Sequence, residues 1–462
     1  MRTKSKWLAI LLVLGLVLAA CGDGDADETT TTASGGEEPT TTASGGDEPT
    51  TTAGEEPMEI ATDVGVDLDA GTITIGLLSD LSGPFAPLVS VINTGHEIYW
   101  AEVNANGGIG GLQVELAVRD TGYVPDTHVQ LYEELKTQVV AFGHSTGSPH
   151  TVAINPQLQE DGILAIPLTW YSGWSDPAIN ANLVPHGVPY CIESMNMIEY
   201  LTLQDPEAAT IAIASNPGDY GEDSNAGARL AADALGLEIV YDGTGLINAA
   251  DEATLAEVAS GIAGSGADLV WVTSSATPFG AIYGQALAAG FTGALWSGSG
   301  PTWNPALVAP DSPLAEPLAN DFYISAPYAP WAAESEGNQL VRDLLAEHAP
   351  DAPPLDYYAE GVIEATIMHQ ALQVAYDAGD LTQAGVLAAA KGLEAVSFNG
   401  LAPDETYVGE PNDRLQRAQF ISRPDPAGLA AGTSTGSTLI ETGYTSPIAE
   451  AYEFTEACFS LG

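Results

Sequence analysis

The alternation of strand-like and helix-like segments is the feature that most restricts the fold of this chain. Short β-rich runs such as Thr72–Leu78, Val139–Phe142 and Ile163–Pro167 are separated by segments with apolar residues at helical spacing. The rhythm restarts near residue 190, with a helix predicted over Met195–Leu203 and a strand over Thr210–Ala214. Alternating strands and helices predict parallel sheets covered by helices on both faces. Two successive series of similar size therefore predict an α/β chain with two doubly wound lobes.

The N-terminus has the pattern of an export signal. Basic residues from Arg2 to Lys6 precede an apolar run from Trp7 to Leu18, and a run of this length indicates a signal peptide, not a mature transmembrane helix. The run ends in Leu18-Ala19-Ala20-Cys21, which resembles the lipobox of bacterial lipoproteins. That resemblance implies that residues 1–20 are a lipoprotein signal peptide and that Cys21 carries the lipid.

Residues 21–70 are predicted to form a disordered stalk. A unit ending in Glu37-Glu38-Pro39 recurs at Asp47-Glu48-Pro49 and at Glu55-Glu56-Pro57. A segment of Thr, Gly, Glu and Pro buries too little apolar surface to offset the entropy of ordering. We therefore expect a folded part held off the extracytoplasmic face of a bacterial cell membrane, in the periplasm or at the cell surface.

The charge of the chain excludes some classes of partner. Eleven Lys and Arg against 62 Asp and Glu give a formal net charge of −51. Such a field opposes binding to nucleic acid and to anionic headgroups. We interpret it as an adaptation for solubility, in keeping with high salt, and not as a sign of a cationic ligand.

The spacing of the three cysteines does not indicate a metal site. With Cys21 assigned to the lipid, Cys191 and Cys458 remain, and two cysteines in an oxidising compartment can form a disulfide. The sequence does not show whether they meet. There is no C-x-x-C and no His/Cys cluster at zinc spacing, so no metal site and no cofactor are predicted.

Several loops carry the motifs of one family. Leu81-Ser82-Gly83-Pro84 follows the first strand, Gly95 is expected to open the next helix, and the run Val103–Gly111 closes it. In the second half, Gly218-Asp219-Tyr220-Gly221 opens another helix. Over residues 72–400 the chain resembles the leucine/isoleucine/valine-binding family of type I periplasmic binding proteins, which are substrate-binding lipoproteins of ABC transporters.

The resemblance implies a fold, a function and partners. Two lobes, 71–190 with about 327–420 and 191–326 with about 421–462, would be joined by three crossovers at a hinge. Closure of the lobes would capture a small polar solute, an amino acid, amide or small carboxylate, and present it to the permease subunits. The implied protein is monomeric and is not an enzyme.

The same resemblance implies a ligand-binding site at the loops that follow the strands. Hydroxyls and free amides at a helix N-terminus bind an anionic group without a basic side chain. The ligand-binding residues carried over are Phe85, Ser145, Thr146, Ser148, Thr169, Trp170, Tyr171, Tyr220, Ser275 and Ser299.

Two departures from the family pattern leave the ligand open. Where amino-acid binders place an acid to pair with the ammonium, this chain has Ser297-Gly298-Ser299-Gly300. Trp170 and Tyr171 are also bulkier than the small residues usual at their positions. An amide, a small carboxylate, an aromatic compound and a dipeptide all stay open as ligands.

Two other functions compete with solute binding. Gly143-His144-Ser145-Thr146-Gly147 fits the G-x-S-x-G elbow between a strand and a helix, which would make Ser145 the nucleophile of a serine hydrolase with His186, His348 or His369 as base. No HGGG-type oxyanion segment precedes it. The other alternative, a structural or adhesive surface lipoprotein, predicts that no small-molecule pocket is present.

Overall fold

The computed structural model describes residues 59–461. The predicted signal peptide, the lipidation of Cys21 and the stalk up to residue 58 lie outside the described residues. Among the helices of the described part, none is both long and apolar enough to cross a membrane.

The described part contains fourteen strands and fourteen α-helices in an alternating order. The strands are β1 Ala61–Thr62, β2 Val66–Asp67, β3 Thr72–Ser79, β4 Gln113–Asp120, β5 Ala141–Thr146, β6 Ala165–Leu168, β7 Thr210–Ser215, β8 Glu238–Gly243, β9 Leu269–Thr273, β10 Leu295–Gly298, β11 Phe322–Ala326, β12 Asp380–Leu381, β13 Gln419–Pro424 and β14 Ser437–Tyr444. The helices are α1 Ala86–Ala105, α2 Pro125–Leu135, α3 Ser148–Asp161, α4 Tyr190–Gln204, α5 Asp219–Leu235, α6 Glu252–Ser265, α7 Ala276–Ala288, α8 Ala315–Asp321, α9 Glu336–His348, α10 Tyr358–Asp377, α11 Gln383–Lys391, α12 Pro411–Arg414, α13 Pro426–Ala431 and α14 Pro447–Ala451.

The N-terminal lobe is built on a five-stranded sheet. Strand β3 pairs in parallel with β4 and β5, β5 pairs with β6, and the short β2 adds an antiparallel pairing at the start of β3. Helices α1, α9, α10 and α11 cover one face of this sheet, and α2 and α3 contribute to a second apolar cluster. Strand β3 is mostly buried and β5 is buried throughout, as expected of parallel strands covered on both faces.

The start of α1 corrects the prediction that Gly95 opens this helix. The helix begins nine residues earlier, at Ala86, and Gly95 lies inside it, where α1 crosses α10. A Cβ on Gly95 would lie 2.5 Å from the carbonyl oxygen of Tyr358 and 3.0 Å from the Cα of Gly361. The glycine is therefore explained by close helix packing and not by a helix start.

The C-terminal lobe is built on a seven-stranded sheet. Strands β8, β7, β9, β10 and β11 lie in that order and are parallel, and β13 and β14 add two antiparallel strands beside β11. Two apolar clusters cover its faces, one with α4 and α5 and the other with α6 and α7. The region after residue 400, irregular by its sequence, thus supplies the antiparallel edge.

The chain passes between the two lobes three times. The first crossover is 169–189, the second is 327–335 and the third is 392–418. The predicted α/β class, with two mainly parallel sheets joined by three crossovers, is confirmed.

The end of the predicted stalk is a further correction. Residues 59–70 contain β1, which pairs with β12, and β2, which pairs with β3. Disorder up to residue 70 is therefore wrong, because these residues find pairing partners that are distant in the sequence. At the other end of the chain, Cys191 of α4 and Cys458 are joined by a disulfide, with their Cα atoms 6.4 Å apart.

Candidate ligand-binding cleft

A cavity with about 750 Å³ of empty space lies between the two lobes. Its wall is mostly aromatic and aliphatic, and each lobe contributes to it. The aromatic residues are Phe85, Tyr123, Trp170, Tyr190, Tyr220, Tyr328 and Tyr357. The aliphatic residues are Leu88, Val89, Ile92, Leu168 and Val188. Small-molecule sites are concave and mainly apolar with a few placed polar groups, and the lining of this cavity has that composition.

A chain of aromatic rings runs around the cavity and crosses the cleft. The Phe85 ring of the N-terminal lobe lies 4.8 Å from the Tyr123 ring and 6.3 Å from the Tyr220 ring of the C-terminal lobe, centroid to centroid. Tyr220 lies 4.8 Å from Tyr190, which lies 5.9 Å from Trp170 in the first crossover. These separations are typical of attractive aromatic contacts, so the rings form one wall shared by both lobes.

The polar groups on the N-terminal side come from the loop between β5 and α3. Thr146, Gly147 and Ser148 line the cavity, and α3 starts after Gly147 without a side-chain cap. Gly147 has a φ of 93°, and a Cβ there would lie 2.7 Å from His150 and from the Tyr123 ring. The glycine thus lets the backbone come close to the cavity. The helix dipole then favours a negatively charged ligand group at this place.

The polar group on the C-terminal side is the carboxyl of Glu193, in the first turn of α4. Its Oε1 accepts hydrogen bonds from the Gly300 amide at 2.9 Å and from the Ser325 hydroxyl at 2.6 Å. Burial raises the pKa of Glu193 to about 7. Near neutral pH this carboxyl is therefore partly protonated and can donate a hydrogen bond into the cavity.

Beneath the N-terminal side, His144 connects the cavity wall to buried charges. Its Nε2 lies 2.6 Å from the Thr146 hydroxyl and its Nδ1 lies 2.9 Å from Glu364. Burial lowers the pKa of His144 to about 3. Glu360 also connects the cavity wall to these buried side chains, because it lines the cavity and hydrogen-bonds to His186. Although burial disfavours its charged form, the Glu360 carboxylate raises the pKa of His186 to about 9.

A second cavity of about 1090 Å³ continues the cleft outwards. It shares Phe85, Tyr123 and Tyr220 with the first cavity and adds Asp219 and Ser275. Burial raises the pKa of Asp219 to about 7, and its Oδ2 has no hydrogen-bond partner within the described residues. The aromatic chain therefore separates an inner apolar space from a more polar outer one.

Six of the ten predicted ligand-binding residues line these two cavities. Phe85, Thr146, Ser148, Trp170 and Tyr220 line the inner cavity, and Ser275 lines the outer one.

The other four lie behind the cavity wall. Thr169 is fully buried and hydrogen-bonds to Ser148, and Ser299 lies 2.6 Å from the Tyr220 hydroxyl. Tyr171 points to the C-terminal segment, where its hydroxyl donates to the carbonyl of Phe459 at 2.6 Å. These three residues hold other side chains in place and do not line either of the two cavities.

Ser145 faces away from the cleft, which removes the hydrolase alternative from this site. It is fully buried, and its Oγ lies 3.1 Å from His128 Nε2 and 2.9 Å from Thr151. The other ring nitrogen of His128 has no partner among the described residues, so no acid orients it. A nucleophile elbow needs an exposed serine and an oriented base, and this geometry provides neither.

Several site residues were missed because they lie on helices or crossovers. Val89 and Ile92 of α1 and Tyr357 and Glu360 at the start of α10 face the cavity. Their apolar spacing is that of ordinary core residues, so the sequence pattern could not separate them from the core. Glu193 lies just before the helix predicted over Met195–Leu203, and the structure places it in the first turn of α4, which begins earlier at Tyr190.

Known proteins resemble the chain both in sequence and in fold. A family model described as periplasmic binding protein matches residues 72–428. A fatty acid ABC transporter substrate-binding protein from Thermomonospora curvata is 25% identical, over 86% of this chain and 97% of that one, with a TM-score of 0.76. No curated protein matches the chain.

Two more distant structures share the fold. One is a branched chain amino acid ABC transporter protein from Thermus thermophilus with bound valine, 20% identical over 82% of this chain and 98% of that one, with a TM-score of 0.67. The other is a branched-chain amino acid transporter substrate binding protein from Streptococcus pneumoniae in complex with isoleucine. It is 17% identical over 80% of this chain and 99% of that one, with a TM-score of 0.63.

Proposed function

The chain belongs to the periplasmic binding protein family, and we propose that it is the substrate-binding lipoprotein of an ABC transporter for an amphiphilic monocarboxylic acid. It binds a small-molecule solute outside the cytoplasm and delivers it to the permease. Lipidation at Cys21 and the stalk would keep it at the membrane surface. A flexible stalk of 36 residues, 22–57, would reach about 30 to 36 Å root-mean-square.

One observation carries the choice of ligand: the inner cavity is walled by seven aromatic side chains. Filling such a wall requires a ligand with a large apolar chain or ring, since apolar burial contributes about 25 cal/mol per Å². A short polar solute would leave much of this surface unfilled.

The head group follows from the charges around the cavity. The loop Thr146–Ser148 at the start of α3 favours an anion, and no Lys or Arg is among the residues that line the cavity in the described part. Of the two carboxyls, Glu360 is paired with His186, and Glu193 is protonated below about pH 7. Neither therefore repels a carboxylate at mildly acidic pH. The similarity to the fatty acid ABC transporter substrate-binding protein from Thermomonospora curvata supports the same ligand class.

The mechanism is closure of the two lobes on the ligand. Because Phe85 and Tyr220 belong to different lobes and line one cavity, a ligand between them contacts both lobes and favours the closed arrangement. The permease would then distinguish the closed from the open form.

The test is identification of the ligand followed by calorimetry. Small molecules released from the purified, denatured protein are identified by mass spectrometry. Protein freed of ligand is then titrated with octanoate, phenylacetate and valine at pH 6 and pH 8. We expect octanoate or phenylacetate to bind and valine to bind weakly. Binding should be tighter at pH 6, because protonated Glu193 accommodates the carboxylate.

Two tryptophans provide a matched pair of variants. Trp170→Ala should weaken binding by about tenfold or more, since a buried aromatic contact contributes about 1.5 to 3 kcal/mol. Trp331→Ala, at a similarly half-buried tryptophan outside the inner cavity, should leave the affinity unchanged. Tighter binding at pH 8, or preference for an amine without a carboxylate, would contradict the proposed head group.

A further inference from the structure

Three histidines and two glutamates meet beneath the inner cavity, in the interior of the N-terminal lobe. They are His96 of α1, His144 of β5, His186 of the first crossover, and Glu360 and Glu364 of α10. Each is at most 4% exposed. Glu360 and Glu364 are four residues apart, which places both carboxyls on one face of the helix.

The donor atoms of these side chains converge. Glu364 Oε2 lies 2.9 Å from His96 Nε2 and 2.9 Å from His144 Nδ1. In the groups His96, His144, Glu364 and His186, Glu360, Glu364, one potential ligand atom per residue lies within 4.8 Å of the others. Ligands of a tetrahedral zinc ion are roughly 3.3 Å apart, given metal bonds of about 2.0 to 2.1 Å. The first group is therefore close to the spacing that such a cation requires.

The charge of the cluster demands compensation. It contains two carboxyls, and no Lys or Arg forms an ion pair or hydrogen bond with them in the described part of the chain. A buried carboxylate without a counter-charge costs several kcal/mol. Glu360 has His186 as its partner, so the charge left to compensate is that of Glu364, by a proton or by a bound cation.

Two carboxylate oxygens without hydrogen-bond partners help to decide between compensation by protons and compensation by a cation. Glu360 Oε2 and Glu364 Oε1 are buried and have no hydrogen-bond partner among the described residues. Buried polar atoms in native proteins are nearly always paired. A network of protons and hydrogen bonds leaves these two oxygens unused, whereas a cation bound by Glu364 can be shared by both oxygens of that carboxyl.

We propose that His96, His144 and Glu364 bind one divalent transition-metal cation of the zinc type. Neutral imidazole and carboxylate are donors that suit zinc. One such cation would offset the Glu364 carboxylate with His96 and His144 as neutral donors, while Glu360 stays paired with His186.

The cation has a consequence for the cavity, which rests on the proposed function. A metal on His144 Nδ1 leaves the proton on Nε2, so His144 donates to Thr146 across the 2.6 Å contact. The Thr146 hydroxyl can then donate its own proton to a ligand in the cavity. Zinc should therefore strengthen the binding of a carboxylate.

The experiment begins with the full chain, stripped of metal with EDTA and returned to chelator-free buffer at pH 7.5. Titration with zinc sulfate should show one tight equivalent by calorimetry and by elemental analysis after gel filtration. Cobalt(II) should give the visible absorption of a cobalt ion in a low-symmetry protein site. Neither measurement on the unmutated chain depends on the folding of a variant. Less than about a fifth of an equivalent of retained zinc would overturn the proposal.

Two variants separate this site from weak binding to the acidic surface. His96→Gln should lower the zinc affinity by about tenfold or more and abolish the cobalt spectrum. His348→Gln is the matched control, since His348 pairs with Glu102 at 2.8 Å on the same lobe outside the cluster. Equal losses in the two variants would contradict the site. Octanoate titrations with and without zinc test separately whether zinc strengthens ligand binding through Thr146. If octanoate does not bind at all, the zinc titration still tests the metal site.

Discussion

The two lobes differ in where their histidines lie, although both have buried carboxyls near the cavity. All seven histidines of the chain lie in the N-terminal lobe or the first crossover, and residues 191–326 and 421–462 contain none. The cleft side of the C-terminal lobe has three buried carboxyls, Glu193, Asp219 and Asp223. His128 of the N-terminal lobe and the carboxyls Glu193 and Asp223 of the C-terminal lobe should therefore respond to pH in opposite directions.

The direction follows from the pKa shifts. Burial lowers the pKa of His128 to about 3, so this residue binds fewer protons in the folded protein than in the unfolded chain between about pH 3 and 6.5. Its contribution to stability is present above about pH 6.5 and is lost as the pH falls. Burial raises the pKa of Glu193 and Asp223 to about 7. These two carboxyls therefore bind more protons in the folded protein than in the unfolded chain between about pH 4 and 7, and their contribution to stability is lost as the pH rises.

The largest expected effect concerns the covalent link of the C-terminal lobe. The disulfide joins Cys191 and Cys458, which are 267 residues apart, within one apolar cluster of that lobe. The double variant Cys191→Ser/Cys458→Ser should lower the free energy of unfolding by about 2 to 5 kcal/mol. Urea unfolding measures this loss, and hydrogen exchange should show weaker protection mainly in the C-terminal lobe.

Reductant provides the control for this prediction. Dithiothreitol should destabilise the unmutated protein but leave the double variant unchanged. Equal loss of protection in both lobes would show that the disulfide stabilises the whole molecule, and the contrast between the lobes would then fail.

The next effect tests the histidines of the N-terminal lobe. Acidification from about pH 6.5 to pH 4.5 should cost about 2 to 3 kcal/mol through His128, at about 1.4 kcal/mol per pH unit. His128→Gln should remove that part of the pH dependence, because glutamine has no proton to gain. The slope of unfolding free energy against pH measures it, with His348→Gln as the control that keeps the original slope. An unchanged slope in His128→Gln would mean that this histidine is protonated in the folded protein.

A smaller effect of opposite sign tests the carboxyls of the C-terminal lobe. Asp223 accepts hydrogen bonds from the Ser172 amide at 3.0 Å and from its hydroxyl at 2.5 Å. Raising the pH from about 6 to 8 should cost about 1 kcal/mol through ionisation of Asp223, and Asp223→Asn should remove this cost. Asp233→Asn, at an exposed position of the same helix α5, is the matched control. If Asp223→Asn loses as much stability as the unmutated protein between about pH 6 and 8, the assignment to Asp223 is wrong.

The sequence predicted the fold well where local periodicity decides the structure. The βα alternation and the strand ends that carry Thr146, Trp170 and Tyr220 follow from that pattern. The sequence-based prediction was wrong for β1, whose partner β12 is more than 300 residues away, and for the start of α1. Pairing between segments so distant in the sequence leaves no local signal.

The site was predicted in its loops and missed on its helices for the same reason. A hydroxyl in a loop after a strand stands out, whereas an apolar residue such as Ile92 looks the same whether it faces a core or a cavity. The buried cluster around Glu364 was missed as well, since its members are drawn from α1, β5, α10 and a crossover. Residues far apart in the sequence have no common spacing that a metal-site pattern could recognise.

The smallest expected effect decides which lobe holds the polar head of the ligand. The Tyr220 hydroxyl already lies 3.0 Å from the Ser274 carbonyl oxygen and 2.6 Å from Ser299 Oγ. Because these bonds use the hydroxyl within its own lobe, Tyr220→Phe should weaken ligand binding by less than about fivefold, or about 1 kcal/mol. Tyr220→Ala, which also removes the ring, should cost considerably more in the same calorimetric titration. A tenfold or larger loss in Tyr220→Phe would mean that the C-terminal lobe binds the head group directly. The loop Thr146–Ser148 of the N-terminal lobe would then have a different role.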